Sequence, residues 1–217
     1  MMHRMLKRLK DIPLAALAAD IHCLASSHGT RSALRTVGRG VAGSVFDRKD
    51  MQVLVKRLDA IQPISAPPRL RVEELDARAL PALAELNRAR CDTRADHRFA
   101  RNLERRYHGF TGHENGRLAG YYWWLDAQAD GHAHLDRLGI ELGAADVYGF
   151  DFFLAESHRG EGRAVELLYH VETRLRERGY ERLWGYVSAA NTPARWLYSL
   201  RGYEVARTLR LRPGSLR

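Results

Sequence analysis

Apolar residues recur along the chain with two periods, and the switches between them mark out the expected elements. Ala164, Val165, Leu167, Leu168, Val171 and Leu175 fall at helical spacing, with Arg174, Arg176 and Arg178 in the last turn and Gly179 as the stop, so a helix is predicted there. Ahead of it, the run Val147-Tyr148-Gly149-Phe150-Asp151-Phe152-Phe153-Leu154-Ala155 is apolar on both faces, the pattern of a central strand covered on both sides. Phe110 to His113 and Leu118 to Leu125 flank Glu114-Asn115-Gly116, and Asn-Gly supplies the positive φ angles of a tight turn, so these runs form a hairpin. Further strands are predicted at Val53–Val55, at Leu70 and Val72, over 182–187 and from Tyr203 to Leu211. Further helices are predicted around Leu80, Leu83 and Leu86, over 93–107 and over 192–200. Residues 127–145 mix small and polar side chains and read as an excursion or a ragged edge strand. A hairpin followed by alternating strands and helices implies an α/β fold: a mixed, mostly antiparallel sheet with helices on both faces.

Composition narrows the class. The 217 residues, 45% hydrophobic and 28% charged, suffice for one sizeable core or two small ones. No apolar run approaches the roughly 20 residues of a membrane-spanning helix, which excludes a transmembrane protein. Cys23 and Cys91 stand far apart with no CxxC, and His97, His132 and His134 lack metal-ligand spacing, so neither a disulfide framework nor a metal is expected, and the expected location is the reducing cytoplasm. The net charge of +9 is uneven: residues 1–60 hold 11 basic and 5 acidic side chains, the remainder 24 and 21. That segment reads either as a solvated helix or as a docking surface for phosphate, an anionic lipid or an acidic partner. Residues 1–25 read as an amphipathic helix, with a transit peptide as the alternative, because Asp11 and Asp20 bracket the short Ala-rich stretch and argue against a signal peptide. Residues 26–44, rich in Ser, Gly, Thr and Arg, read as loop. The prolines at 63, 67 and 68 then suggest a division into a basic N-terminal extension, 1–66, of helix, loop and strand, and a folded domain, 67–217.

Between the central strand and the long helix lies Glu156-Ser157-His158-Arg159-Gly160-Glu161-Gly162-Arg163-Ala164. Glycines let the main chain approach a ligand closely, and the first amides of a helix have no internal acceptor, so this turn is a candidate anion site as well as a candidate tight turn of purely geometric use. It is neither GxGxxG, since Val165 stands where the third Gly is needed, nor a P-loop. It does match Arg-x-x-Gly-x-Gly/Ala, and Asn191-Thr192-Pro193-Ala194-Arg195-Trp196-Leu197-Tyr198-Ser199-Leu200-Arg201-Gly202-Tyr203 follows about 30 residues later with a strand between. The two ordered motifs resemble those of the GNAT N-acetyltransferase superfamily, and the resemblance covers residues 69–211. One departure is Glu156, where many members carry Pro.

The resemblance implies an acyl-coenzyme A-dependent N-acyltransferase with acetyl-CoA, or another acyl-CoA, as co-substrate and no metal. It places the coenzyme A diphosphate on the turn Arg159, Gly160, Glu161, Gly162, Arg163 and Ala164, with Asn191 as a further contact. The pantetheine arm would pair along Phe153, Leu154 and Ala155, with the Leu154 N–H donating to the acyl oxygen. Tyr198 is the candidate general acid, with core packing as its alternative. Asp151 and Glu156 are candidate general bases; their alternatives are a structural hydrogen bond and a salt bridge to Arg159. The acceptor would be a small-molecule or protein amine. Long-chain transfer from an acyl carrier protein, a non-catalytic module docking through the basic segment, and a homodimer stay open.

Overall fold

The computed structural model describes residues 49–65, 67–89 and 94–211; the helix expected over 1–25, the loop over 26–44, Cys23 and Cys91 lie outside them. In chain order the strands are β1 (Lys49–Arg57), β2 (Arg71–Glu74), β3 (His108–Glu114), β4 (Arg117–Asp126), β5 (Asp146–Leu154), β6 (Arg182–Ser188) and β7 (Glu204–Leu211). The helices are α1 (Leu80–Ala89), α2 (Arg94–Glu104), α3 (Ala133–Leu138), α4 (Arg163–Glu177) and α5 (Thr192–Leu200). The strands form one sheet in the order β2-β3-β4-β5-β6-β1-β7. Only β5 and β6 pair in parallel; every other neighbouring pair is antiparallel.

Each face of the sheet carries its own core. Leu167, Leu168, Val171 and Leu175 of α4 and Leu197 of α5 pack with Leu54, Tyr122, Val147, Leu154 and Leu183 on one face. Leu83 of α1, Phe99 of α2 and Leu138 of α3 pack with Val53, Tyr121, Trp123 and Tyr148 on the other. Val53 and Leu54 point to opposite faces and both are buried, as the two-residue period of a strand covered on both sides requires. The four adjacent aromatics Tyr121, Tyr122, Trp123 and Trp124 are all buried core residues divided between the two faces.

Two sequence expectations change. Strand β1, which a boundary at residue 66 leaves in the N-terminal extension, lies between β6 and β7 inside the sheet, pairing Met51–Arg57 with Arg182–Ser188. Its Lys56 is buried beside Glu172 of α4 and Arg201, with Arg201 Nη2 donating to Glu172 Oε2 at 2.5 Å and Lys56 donating to the Arg201 carbonyl. Residues 127–145 contain helix α3 rather than a ragged strand, started by the His132 ring, which accepts from the His134 N–H at 3.2 Å, and stopped by Gly139 at φ 62°. Six residues with one buried side chain, Leu138, leave too little periodicity to read. Among the described residues no helix is long and apolar enough to cross a membrane.

Candidate active site

Strands β5 and β6 pair over three residues only, Asp146–Tyr148 with Arg182–Trp184, and then part. From there β5 stays with β4 as far as Leu154, while β6 stays with β1 as far as Ser188. A bulge accompanies the parting. Trp123 pairs with Asp151 and Trp124 with Gly149, which leaves Phe150 as the extra residue and bends β5 away. Gly149 and Gly185 face one another at the apex, where a Cβ on Gly185 would meet the Gly149 carbonyl at 3.7 Å. A Cβ on Gly149 would fall 1.8 Å from the Tyr122 hydroxyl, so any side chain there would displace the Tyr122 ring.

The parting exposes a strand edge. Ala155 N–H donates to the Ala119 carbonyl at 2.7 Å, towards β4. Since peptide groups alternate sides along a strand, the Leu154 N–H and carbonyl are turned the other way, into the gap. Arg159 confirms this by donating from Nε to the Leu154 carbonyl at 3.2 Å, its guanidinium lying 5.8 Å from the Phe153 ring centre. Of Phe153, Leu154 and Ala155, Leu154 therefore offers its amide to the gap, and the other two are turned to β4.

After β5 a single 3-10 turn, Glu156–His158, leads into Gly160, Glu161 and Gly162, which have φ 91°, 48° and 79°. Three successive left-handed residues suit glycine twice and strain Glu161 once. The Glu161 carboxylate is held there by Arg69 and by Arg163, the latter at 3.2 Å, and the two cations lower its pKa. Gly162 caps α4 without a side chain: Arg163 N–H reaches the Gly160 carbonyl and Glu166 N–H the Gly162 carbonyl, while the amides of Ala164 and Val165 donate to no main-chain carbonyl among the described residues. A Cβ on either glycine would meet nothing within 4 Å. Bare amides under open space, at the positive end of a 15-residue helix, fit a diphosphate.

The charged side chains around this turn pair largely with one another. Arg163 donates from Nε to both Glu114 oxygens at 2.9 and 2.8 Å, so it braces the turn against the β3–β4 hairpin instead of standing open to an anion. That hydrogen bond is the main cause of the lowered Glu114 pKa and the raised Arg163 pKa. His158 Nε2 approaches the same carboxylate at 3.6 Å. Asn191 caps α5, its side chain accepting from the Ala194 N–H at 3.2 Å. Glu156 is exposed in the 3-10 turn, where its carbonyl accepts from the Arg159 N–H.

Two candidate proton carriers flank the gap. Tyr198 is partly buried on α5, its ring edge-on to Tyr203 at 4.9 Å, and its hydroxyl makes no hydrogen bond among the described residues. Burial, then the neighbouring Tyr186, pushes its pKa up, so it carries its proton at neutral pH. Asp151, 24% exposed, accepts from Arg98 Nη2 at 3.2 Å and from the Tyr121 hydroxyl at 3.5 Å. Tyr186 on β6 feels Asp151 as well as burial, and its pKa is pushed up to about 12. Arg98, Tyr186 and Glu114 are site residues that the sequence did not single out; the alternation of β6, with Trp184 and Tyr186 on one face and Leu183 and Val187 on the other, is the available signal for Tyr186. His132 and His134 belong to an aromatic cluster with Tyr148 and Phe150, and among the described residues no His, Cys, Asp and Glu group is placed to hold a metal.

Comparison with known proteins sets this geometry in context. Residues 72–203 match the model of the acetyltransferase (GNAT) family. No curated protein matches the sequence. Among solved structures, a conserved protein of unknown function from Staphylococcus epidermidis superposes with a TM-score of 0.57 at 9% identity, over 84% of this chain and 65% of that one. A glucosamine N-acetyltransferase region of a fungal multi-domain GH3 β-N-acetylglucosaminidase gives 0.56 at 16% identity, over 83% and 22%. A GCN5-related N-acetyltransferase from Sphaerobacter thermophilus gives 0.52 at 19% identity, over 86% and 58%. The chain thus spans less than two thirds of each of these proteins, and at such identities the likeness concerns the fold.

Proposed function

Because the chain belongs to the acetyltransferase (GNAT) family, we propose that it moves an acetyl group, or another acyl group, from acyl-coenzyme A to a primary amine by direct attack. The observation that carries this reading is the parting of β5 from β6 beside the bare amides of Ala164 and Val165. Acyl-coenzyme A supplies an activated thioester. The turn at Gly160–Gly162 and the start of α4 bind its diphosphate, and the Leu154 amide in the gap donates to the acyl oxygen as it gains charge. As the amine nitrogen forms its bond to the acyl carbon, Asp151 takes the proton that nitrogen loses. As the carbon–sulfur bond breaks, the Tyr198 hydroxyl gives its proton to the leaving sulfur. The products are an amide and a free thiol. Glu156, exposed beyond the strand, is left the lesser candidate for the base.

Paired variants test the assignment. Tyr198→Phe and Asp151→Asn should each lower kcat by about 10²-fold or more, the size of a lost proton-transfer contribution, while acetyl-CoA binding measured by calorimetry stays unchanged. Full activity in both variants would remove these roles, and absence of acetyl-CoA binding by the native chain would remove the reading itself.

A further inference from the structure

Resting on the acyl-transfer reading, we propose that the acceptor is a free α-amino acid with an aromatic or large apolar side chain, bound as its zwitterion. The Gly160–Gly162 turn runs into α4, so the co-substrate lies towards the α4/α5 face. The acyl group then reaches through the gap towards the opposite face, which α1, α2 and α3 cover. There, β5 presents Phe150, Asp151 and Phe153, β6 presents Tyr186, and α2 presents Arg98.

The Asp151–Arg98 pair sets the head-group chemistry. Arg98 Nη2 stands 3.2 Å from Asp151 Oδ2, the carboxylate 24% and the guanidinium 47% exposed, and the Tyr121 hydroxyl donates to the other carboxylate oxygen, so opposite charges stand side by side within reach of solvent. An α-ammonium and an α-carboxylate are held a similar short distance apart in an amino acid, which can meet Asp151 and Arg98 one for one. An amine without the carboxylate would meet Asp151 and be repelled by the guanidinium beside it. The ammonium first gives one proton to solvent, and the resulting amine is then placed to lose its second proton to Asp151 as its bond to the acyl carbon forms.

The rings set the side-chain chemistry. Phe150, Phe153 and Tyr186 are all partly exposed on this face. Phe150 is fixed by the His132 and Tyr107 rings at 4.7 and 5.5 Å, and Tyr186 by His134 and Tyr148 at 5.3 and 6.4 Å. Walls of braced rings on both banks favour a flat or bulky apolar group over a small or charged one.

The test uses the full chain, calorimetry with acetyl-CoA, and thiol release with phenylalanine, phenylalaninamide and alanine as acceptors. Phenylalaninamide keeps the ring and the α-amine of phenylalanine and lacks its carboxylate charge, as the N-terminus of a peptide does; rates are compared per unprotonated amine, since the amide's ammonium is the more acidic. We expect kcat/KM for phenylalanine to exceed that for each of the others by about 10-fold or more, the size of one charge-assisted contact. Arg98→Gln should bring phenylalanine and phenylalaninamide to within about 3-fold of each other without changing acetyl-CoA binding. Equal use of the amide, a preference for alanine, turnover of none of the three despite acetyl-CoA binding, or an unaltered ratio in Arg98→Gln overturns the acceptor assignment and leaves acyl transfer standing. Failure of acetyl-CoA to bind overturns both.

Discussion

Replacing Gly149 by alanine should damage both the fold and the gap. The new methyl carbon would stand 1.8 Å from the Tyr122 hydroxyl, 2.5 Å from Cζ and 3.0 Å from Cε1, so the ring would have to retreat about 2 Å to regain contact distance. Tyr122 is 3% exposed and packs against Phe152 at 5.9 Å between ring centres, so it has nowhere to go without displacing the α4/α5 core. Overpacking of this kind costs about 1–3 kcal/mol, of which replacing a strand glycine returns about 0.5–1 kcal/mol. A net loss of up to about 2.5 kcal/mol is expected in urea unfolding, towards the upper end because the overlap is as close as 1.8 Å, together with weaker acetyl-CoA binding because the α4/α5 core beneath the glycine turn is displaced. Gly185→Ala is the matched control: its Cβ would meet the Gly149 carbonyl at an ordinary 3.7 Å, so stability should hold or rise by up to about 1 kcal/mol. Equal unfolding midpoints for the two variants would refute the close approach of Tyr122 to β5.

Glu172→Gln removes the buried carboxylate that Lys56 and Arg201 share, and a loss of about 3–5 kcal/mol in denaturant unfolding is expected; a change below about 1 kcal/mol would mean that the pair is solvated. His132, whose pKa burial and then the neighbouring His134 lower from 6.5 to about 4, makes the unfolded chain take up its proton first. Stability should therefore be full above about pH 6.5 and fall by on the order of 1–3 kcal/mol as pH drops to 4, and His132→Asn, which keeps an N-cap acceptor, should flatten that slope in pH-dependent melting; an unchanged slope would contradict the assignment.

Local signals carried much of the fold. The spacing of Leu167, Leu168, Val171 and Leu175 announced α4, and Asn115-Gly116, observed at φ 51° and 77°, announced the β3–β4 turn. The glycine turn was equally readable, because left-handed backbone and bare amides demand glycine at fixed places. What stayed hidden depends on residues distant in sequence. Val53–Val55 read as a strand, but nothing local says that it enters between β6 and β7, more than a hundred residues away in the chain. The Asp151–Arg98 pair joins positions 53 residues apart, and Arg163 meets Glu114 across 49. Arg163 lies on the turn, but its side chain turns to Glu114, because a motif records a residue type and position while the partner of a long side chain is settled by what folds beside it.

The central claim is that the amides opening α4 hold the diphosphate, and amide resonances report it most directly. On titration of the isotope-labelled chain with coenzyme A, the Ala164 and Val165 N–H signals should move downfield together and saturate, as donors to an anion do, with Leu154 following in the gap. Saturable shifts confined to other parts of the chain, with Ala164 and Val165 unmoved, would contradict the account.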